Sequence, residues 1–293
     1  MSQQIPLSHN DRADHEKEGL HIVTDDVAYE RLMLVNVIFI GKPKAGAGNW
    51  VLIDTGVAGS SGAIRKAIAT RFGTNAPPAC IIQTHGHFDH VGVLEELAYE
   101  WKVPVYAHPL EIPYLDGSAS YPPPDPKVGG GLMSLISPLY PRGPVNVKAY
   151  LRPLPVDGTI PELPGWKWIH TPGHAPGHIS LWRERDRTLI SGDAVITTDQ
   201  ESAYAVAVQR PELHGPPMYF TIDWELAERS VKELASLDPQ VIVSSHGHAM
   251  QGPEMLAALH RLASEFRDLA VPAKGRYVED PQWPQKGEAY RKP

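Results

Sequence analysis

One cysteine, Cys80, stands among 293 residues. No internal disulfide is available, and redox chemistry does not set the compartment. Cys80 lies in an apolar run and reads as a small buried hydrophobe. Basic excess is absent too: 27 Lys and Arg face 34 Asp and Glu, with no basic stripe, which argues against a nucleic-acid partner. No apolar stretch reaches the length of a membrane span, so no membrane partner is expected. The opening Met-Ser-Gln-Gln-Ile-Pro has no basic segment followed by an apolar run, so no signal peptide is expected and a cytoplasmic location is the default. At this length the chain can bury a sizeable core as one large domain or two small ones.

What the chain does have is His85-Gly-His87-Phe-Asp89-His90, three imidazoles and a carboxylate in six residues. The preceding Ala79–Thr84 is apolar and β-branched, as a buried strand would be. Gly86 and Val91-Gly92 predict a tight loop with a helix starting near Val91. Imidazole and carboxylate are the usual ligands of zinc and similar ions, so the cluster reads as a metal site. A surface His-rich loop without a role is the alternative. Four more strand-like runs end on ligand types: Val51–Ile53 before Asp54, Trp166–His170 before His174, Thr188–Gly192 before Asp193, and Val241–Ser245 before His246. Five such endings describe an active-site rim.

Periodicity predicts further elements. Leu32–Ile40, Val103–Ala107, Ala149–Leu154 and Ile179–Trp182 read as strands, and 60–72 reads as a helix. Leu94, Leu97, Ala98 and Trp101 stripe a helix. Another, behind Thr221 or Asp223 as N-cap, carries Trp224, Ala227, Val231 and Leu234. The last runs from Pro253 through Leu269. The tail from about 271, rich in Pro, Lys and Glu, is expected to be loosely held.

These residues resemble the metallo-β-lactamase superfamily, in its glyoxalase II and lactonase-like branch. The family signature is a His-x-His-x-Asp-His loop, then Pro-Gly-His, Gly-Asp and a final His-Gly. Here it falls on His85, His87, Asp89, His90, His174, Asp193 and His246, in order across about 35–252. The resemblance implies an α+β fold, an αββα sandwich of two mixed sheets flanked by helices, as a single domain over 1–293. It implies one metal on His85, His87 and His174, a second on Asp89, His90 and His246, and Asp193 bridging both. Zinc is the expected metal, with iron or manganese as alternatives. Asp54 matches a position that supports the ligand loop without binding metal. His178 is expected to support or pack, and His248 stays open between a supporting and a substrate-facing role. Ser245 replaces the family's usual Gly. His9, His15, His21, His108, His170, His214 and His260 read as ordinary histidines.

Two stretches exceed a minimal version of that fold. Residues 110–145 are dense in Pro and Gly yet carry Tyr114, Tyr121 and Tyr140, and they read as a partly helical lid over the metal site. A dimer contact or a packed flap is the alternative. Residues 197–220 are expected to form another pocket wall. Phe88, Ile196, Tyr114, Tyr140 and His248 are the substrate-pocket candidates.

The implied chemistry is hydrolytic. Two ions sharing a water lower its pKa from about 15.7 toward about 7, and the bridging hydroxide attacks a carbonyl or phosphoryl centre. Asp89 is the catalytic residue expected to orient that nucleophile and pass on its proton. Departures from the subfamilies narrow the substrate. Asp193 fills a bridging position that true β-lactamases lack as a carboxylate. Ile196 stands where acyl-homoserine lactonases carry tyrosine, and the C-terminal region is short for a glutathione thioesterase. A small ester, lactone or thioester remains, as the small-molecule partner. The alternatives are a mono-iron persulfide dioxygenase-like oxidoreductase and a β-lactamase activity, main or promiscuous. A homodimer also stays open.

Overall fold

The computed structural model describes residues 5–282. The chain divides into two compact units, each built from non-contiguous segments. The first takes residues 14–121 and 141–164. The second takes 5–13, 122–140 and 165–282.

The first unit holds an eight-stranded mixed sheet. His15–Lys17, Leu20–Ile22, Val27–Leu32, Val35–Ile40 and Val51–Ile53 follow one another antiparallel. Cys80–Ile82, Val105–Ala107 and Leu151–Pro153 then add parallel. Val35, Val37, Phe39, Leu52 and Ile81 from the sheet meet Ile64 and Ile68 of helix Ser61–Arg71, and Leu94 and Leu97 of helix Leu94–Trp101. Each such side chain, fully withdrawn from water, contributes about 1.5–3 kcal/mol. Trp50 stacks on Phe72 with centroids 4.3 Å apart and donates its indole N–H to the Ala76 carbonyl, 3.0 Å away. The expected strand Leu32–Ile40 is instead the second arm of a hairpin. Its turn falls at Met33, which takes φ +60° and is 75% exposed, so apolar character alone gave the wrong boundary there. Gly92 is required by close approach: a Cβ would lie 2.2 Å from the Val57 carbonyl carbon and 2.3 Å from Ala58 N.

The second unit holds a five-stranded mixed sheet in the order Lys167–His170, Ile179–Arg183, Thr188–Gly192, Val241–Ser244, Met250–Gln251. The first three alternate in direction, and Val241–Ser244 runs parallel to Thr188–Gly192. Helix Trp224–Ser236 starts at Asp223, whose side chain accepts from Leu226 N at 3.0 Å. It buries Trp224, Ala227, Val231 and Leu234, the stripe its spacing predicts. The expected single helix from Pro253 to Leu269 is two, Gly252–Ser264 and Phe266–Leu269. Glu265 leaves helical geometry between them, at φ −112° and ψ 23°.

The tail departs from expectation between 271 and 282. Tyr277 is buried on helix Arg276–Glu279, Arg276 N donates to Asp125 Oδ2 at 2.6 Å, and Gln282 N donates to Ile222 O at 2.9 Å. An apolar tyrosine and two backbone anchors hold this stretch despite its polar composition. The rest of that tail, and the first four residues of the opening segment, lie outside the described residues. No described helix is long and apolar enough to cross a membrane.

Candidate metal centre

In both units the strand directions bring the candidate ligands to one sheet edge. In the first unit Val51–Ile53 and Cys80–Ile82 are parallel, with Ile53 opposite Ile82, so Asp54 and the His85 loop leave the sheet side by side. In the second, Gly192 lies opposite Ser244 in a parallel pair, so Asp193 and His246 leave together. Lys167–His170 runs the same way and delivers His174 to that edge, where His178 enters the next strand. This is the open carboxyl end of parallel strands, where α/β sheets place their ligands.

The first half-set is His85, His87, Asp89 and His90, all at most 5% exposed. Asp54 organises it. Its carboxylate accepts from Thr84 N at 2.8 Å, Thr84 Oγ1 at 2.7 Å and His90 Nδ1 at 2.8 Å. That last bond fixes the proton on Nδ1 and leaves Nε2 as the donor atom for a metal, the usual carboxylate–histidine arrangement. Thr84 Oγ1 gives its hydrogen to Asp54 and so accepts from His85 Nδ1 at 3.1 Å, which leaves Nε2 of His85 as ligand atom in the same way. Thr55 grips the loop from its backbone: its N and Oγ1 both donate to the His90 carbonyl, at 2.7 and 2.8 Å. Asp54 itself has φ +60°, a left-handed conformation that Asp and Asn tolerate better than most residues. Phe88 is half-buried on the same loop.

The second half-set is His174, Asp193 and His246, each at most 2% exposed. One oxygen, Asp193 Oδ2, lies 3.3 Å from His174 Nε2 and 3.3 Å from His246 Nε2. Thr221 Oγ1 donates to Pro217 O at 2.7 Å and so accepts from His174 Nδ1 at 3.2 Å, again turning Nε2 toward the carboxylate. His178 is placed to support this set: its Nε2 accepts the Asp193 backbone N–H at 2.9 Å, so Nδ1 carries the proton and donates to Thr171 Oγ1 at 2.8 Å. Gly192, at φ +57°, leaves room for that ring, since a Cβ there would lie 2.5 Å from His178 Nε2.

The donor chemistry fits divalent metal: buried imidazoles, with Nδ1 of His85, His90 and His174 hydrogen-bonded, beside carboxylates, are the set that zinc and iron accept. The other candidates fall as follows. His248 is half-buried, and its carbonyl accepts from Thr197 Oγ1 at 2.7 Å. Ile196 is fully buried and exchanges backbone hydrogen bonds with His214. Tyr114 is 1% exposed, its ring stacked on Tyr121 at 3.9 Å. Tyr140 is half-buried, with Tyr219 and Phe220 centroids 6.1 and 6.2 Å away. The 110–145 stretch is partly helical as expected, with helices at Ile112–Leu115 and Leu132–Ile136. Its first part touches the ligand loop, while Met133 N and Asp125 N of its middle part donate to Glu201 O and Tyr219 O. The sequence does not reveal the supporting roles of Thr84, Thr171 and Thr221; only adjacency to a ligand segment marks the first two, and Thr221 stands out there only as an N-cap candidate.

A family model for the metallo-β-lactamase superfamily matches residues 31–246. The chain belongs to this superfamily, and its two mixed sheets flanked by helices are the metallo-β-lactamase fold. It is similar to the probable metallo-hydrolase YflN of Bacillus subtilis (strain 168), 43% identical over 252 residues, which cover 86% of this chain and 92% of YflN. The probable metallo-hydrolase YybB of the same organism is 30% identical over 197 residues, 67% of this chain and 74% of YybB. Among solved structures, the subclass B3 metallo-β-lactamase BJP-1 of Bradyrhizobium japonicum superposes with a TM-score of 0.56 at 22% identity, over 85% of this chain and 92% of that one. TTHA1623, crystallised in a di-iron-bound form, gives a TM-score of 0.51 at 24% identity, over 80% of this chain and 96% of that one.

Proposed function

We propose that this chain is a metal-dependent hydrolase in which the two half-sets jointly hold two divalent ions and which cleaves a small ester, lactone or thioester. The observation that carries this reading is Asp193 Oδ2 at 3.3 Å from both His174 Nε2 and His246 Nε2, the arrangement of a carboxylate shared between two metal positions. By the family pattern His85, His87 and His174 would hold one ion, and Asp89, His90 and His246 the other. YflN, similar over most of its length, bears the name of a metallo-hydrolase, which supports the same class. Zinc is the metal we assign.

When bound, the ions supply a nucleophile at neutral pH and a Lewis acid for the substrate oxygen. The chain's own residues do the rest. Asp89 accepts a hydrogen bond from the attacking water, orients it and takes its proton at a carboxylate oxygen. Asp54, Thr84 and Thr221 hold the imidazoles with Nε2 inward, so little reorganisation is left for the reaction. His178 anchors the Asp193 backbone, the point from which its carboxylate projects.

Protein purified without added metal, analysed for metal content and run on a panel of lactones, aryl esters, thioesters, phosphoesters and β-lactams, tests this. About two zinc per chain with lactone, ester or thioester turnover is expected. Asp89→Asn should lower the rate by about 10²–10⁴, and His174→Ala should abolish it. One iron per chain with oxygen uptake would overturn the proposal, as would β-lactams being the preferred substrates.

A further inference from the structure

The ligand turn His85-Gly86-His87 is gripped from a second side, by residues the metal pattern does not include. Gly86 N–H donates to Glu111 Oε2 at 3.0 Å and to Tyr121 Oη at 2.9 Å. The Tyr121 hydroxyl in turn donates to the same Glu111 oxygen. The three groups form a closed triangle on the peptide that joins two proposed ligands.

Burial makes the triangle consequential. Glu111 is 0% exposed and Tyr121 1% exposed. A carboxylate and a phenol in such a place cost several kcal/mol unless hydrogen-bonded, so they stay only where their bonds are satisfied. Tyr121 fills both roles of its hydroxyl, accepting from Gly86 N–H and donating to Glu111. Its ring is held on one side by Tyr114, stacked at 3.9 Å and 9°, and meets the His87 imidazole at 4.3 Å. The fit is tight at the turn itself: a Cβ on Gly86 would lie 3.1 Å from Tyr121 Oη and 3.4 Å from Leu115 Cδ2. The sequence shows no sign of this arrangement, because Glu111 and Tyr121 lie 25 and 35 positions beyond Gly86.

We infer that Glu111 and Tyr121 are positioning residues for the metal site, a hydrogen-bonded clasp from the start of the 110–145 stretch that sets the spread of His85 and His87. Where Asp54 and Thr84 orient His90 and His85 through their ring nitrogens, the clasp acts on the backbone between His85 and His87 and packs a tilted ring against the His87 imidazole. This inference rests on the proposal that His85 and His87 hold a metal ion.

Tyr121→Phe tests it, since phenylalanine keeps the stack on Tyr114 and removes only the hydroxyl. Three quantities are measured on the full chain: zinc affinity by chelator competition, the visible spectrum of the cobalt-substituted protein, and the melting temperature of metal-free protein. Zinc affinity is expected to fall about 10-fold or more, the range found when a group supporting metal ligands is removed. The cobalt bands should shift, while the metal-free melting temperature changes by only a few degrees. Gly86→Ala, which crowds the hydroxyl, should weaken zinc as well. The double variant Gly86→Ala/Tyr121→Phe should weaken it by less than the product of the two single effects, because the crowded atom is gone. Unchanged zinc affinity and cobalt spectrum in Tyr121→Phe would overturn the clasp while leaving the metal centre standing. Wild-type protein that binds neither zinc nor cobalt would overturn the metal centre, and the clasp with it.

Discussion

Replacing Asp54 by asparagine isolates what a single buried carboxylate does for the centre. Asparagine has almost the same shape and tolerates the φ of +60° at this position, so backbone strain is not introduced. What changes is the atom facing His90. The carboxylate oxygen Oδ2 accepts from both Thr84 Oγ1 and His90 Nδ1, at 2.7 and 2.8 Å. An amide keeps one oxygen, and the Thr84 N–H at 2.8 Å from Oδ1 claims it. The –NH2 then points at His90, which can answer only by moving its proton from Nδ1 to Nε2, the atom the metal needs. Exchanging these two bonds to a charged acceptor for weaker bonds to an amide should cost about 1.5–3 kcal/mol of stability, the worth of one such charged bond. The wrong tautomer should cost about 10–100-fold in metal affinity. Chelator competition reads the second quantity and urea unfolding of metal-free protein reads the first. Asp54→Ala should be worse on both, because alanine adds about 1–2 kcal/mol of left-handed strain and leaves Thr84 N–H without its acceptor. Metal affinity in Asp54→Asn within about twofold of wild type, with stability lowered as expected, would refute the tautomer argument.

Three other outcomes follow from the same structure. His178→Ala removes the acceptor of the Asp193 N–H, 2.9 Å away, and should cut turnover by about 10–100-fold while the metal stoichiometry holds; steady-state kinetics beside metal analysis will show whether the two separate. Gly92→Ala places a methyl 2.2 Å from backbone that cannot yield, so a loss of more than about 3 kcal/mol in urea denaturation is expected, and a loss under about 1 kcal/mol would contradict the packing. Burial pushes the Glu201 carboxyl from 4.5 up to about 7, even though Oε1 accepts the Met218 N–H at 2.6 Å. Between those pH values the folded protein holds the proton that the unfolded chain releases, so stability should fall as pH rises, by about 1.4 kcal/mol per unit, and Glu201→Gln should flatten that slope in unfolding curves taken from pH 5 to 7.5.

The parts legible in the sequence are those in which cause and effect lie a few residues apart. Each proposed ligand follows its strand within eight residues, so an apolar run and a Gly-flanked polar end reveal both at once. The helix Trp224–Ser236 is legible for the same reason, through an Asp223 cap and a period of three to four. Strand His15–Lys17 was not legible, because all three residues are exposed and polar and it pairs at the rim of its sheet. The Met33 turn was hidden by an apolar side chain in an exposed place. Thr221 and His174 are 47 positions apart, and Glu111 and Gly86 are 25 apart, so their meeting depends on how the chain returns, which no local pattern records. Tyr114 stands out in the sequence for its aromatic character, and in the structure that character serves a stack on Tyr121.

The segment composition of the two units has a consequence for biosynthesis. All described residues of the first unit are made by residue 164, so its large sheet and the four buried proposed donors of the His85 loop can form while the sheet of the second unit is still to come. The second unit draws on the earliest segment, 5–13, and on 122–140, yet its sheet begins only at Lys167 and closes at Met250–Gln251. Ile5–Pro6 must wait for Glu212–Leu213 before it has a strand to pair with. A nascent chain of this protein therefore carries four of the seven proposed metal donors in finished form, with Ile5–Pro6 still unpaired, until its second unit is made.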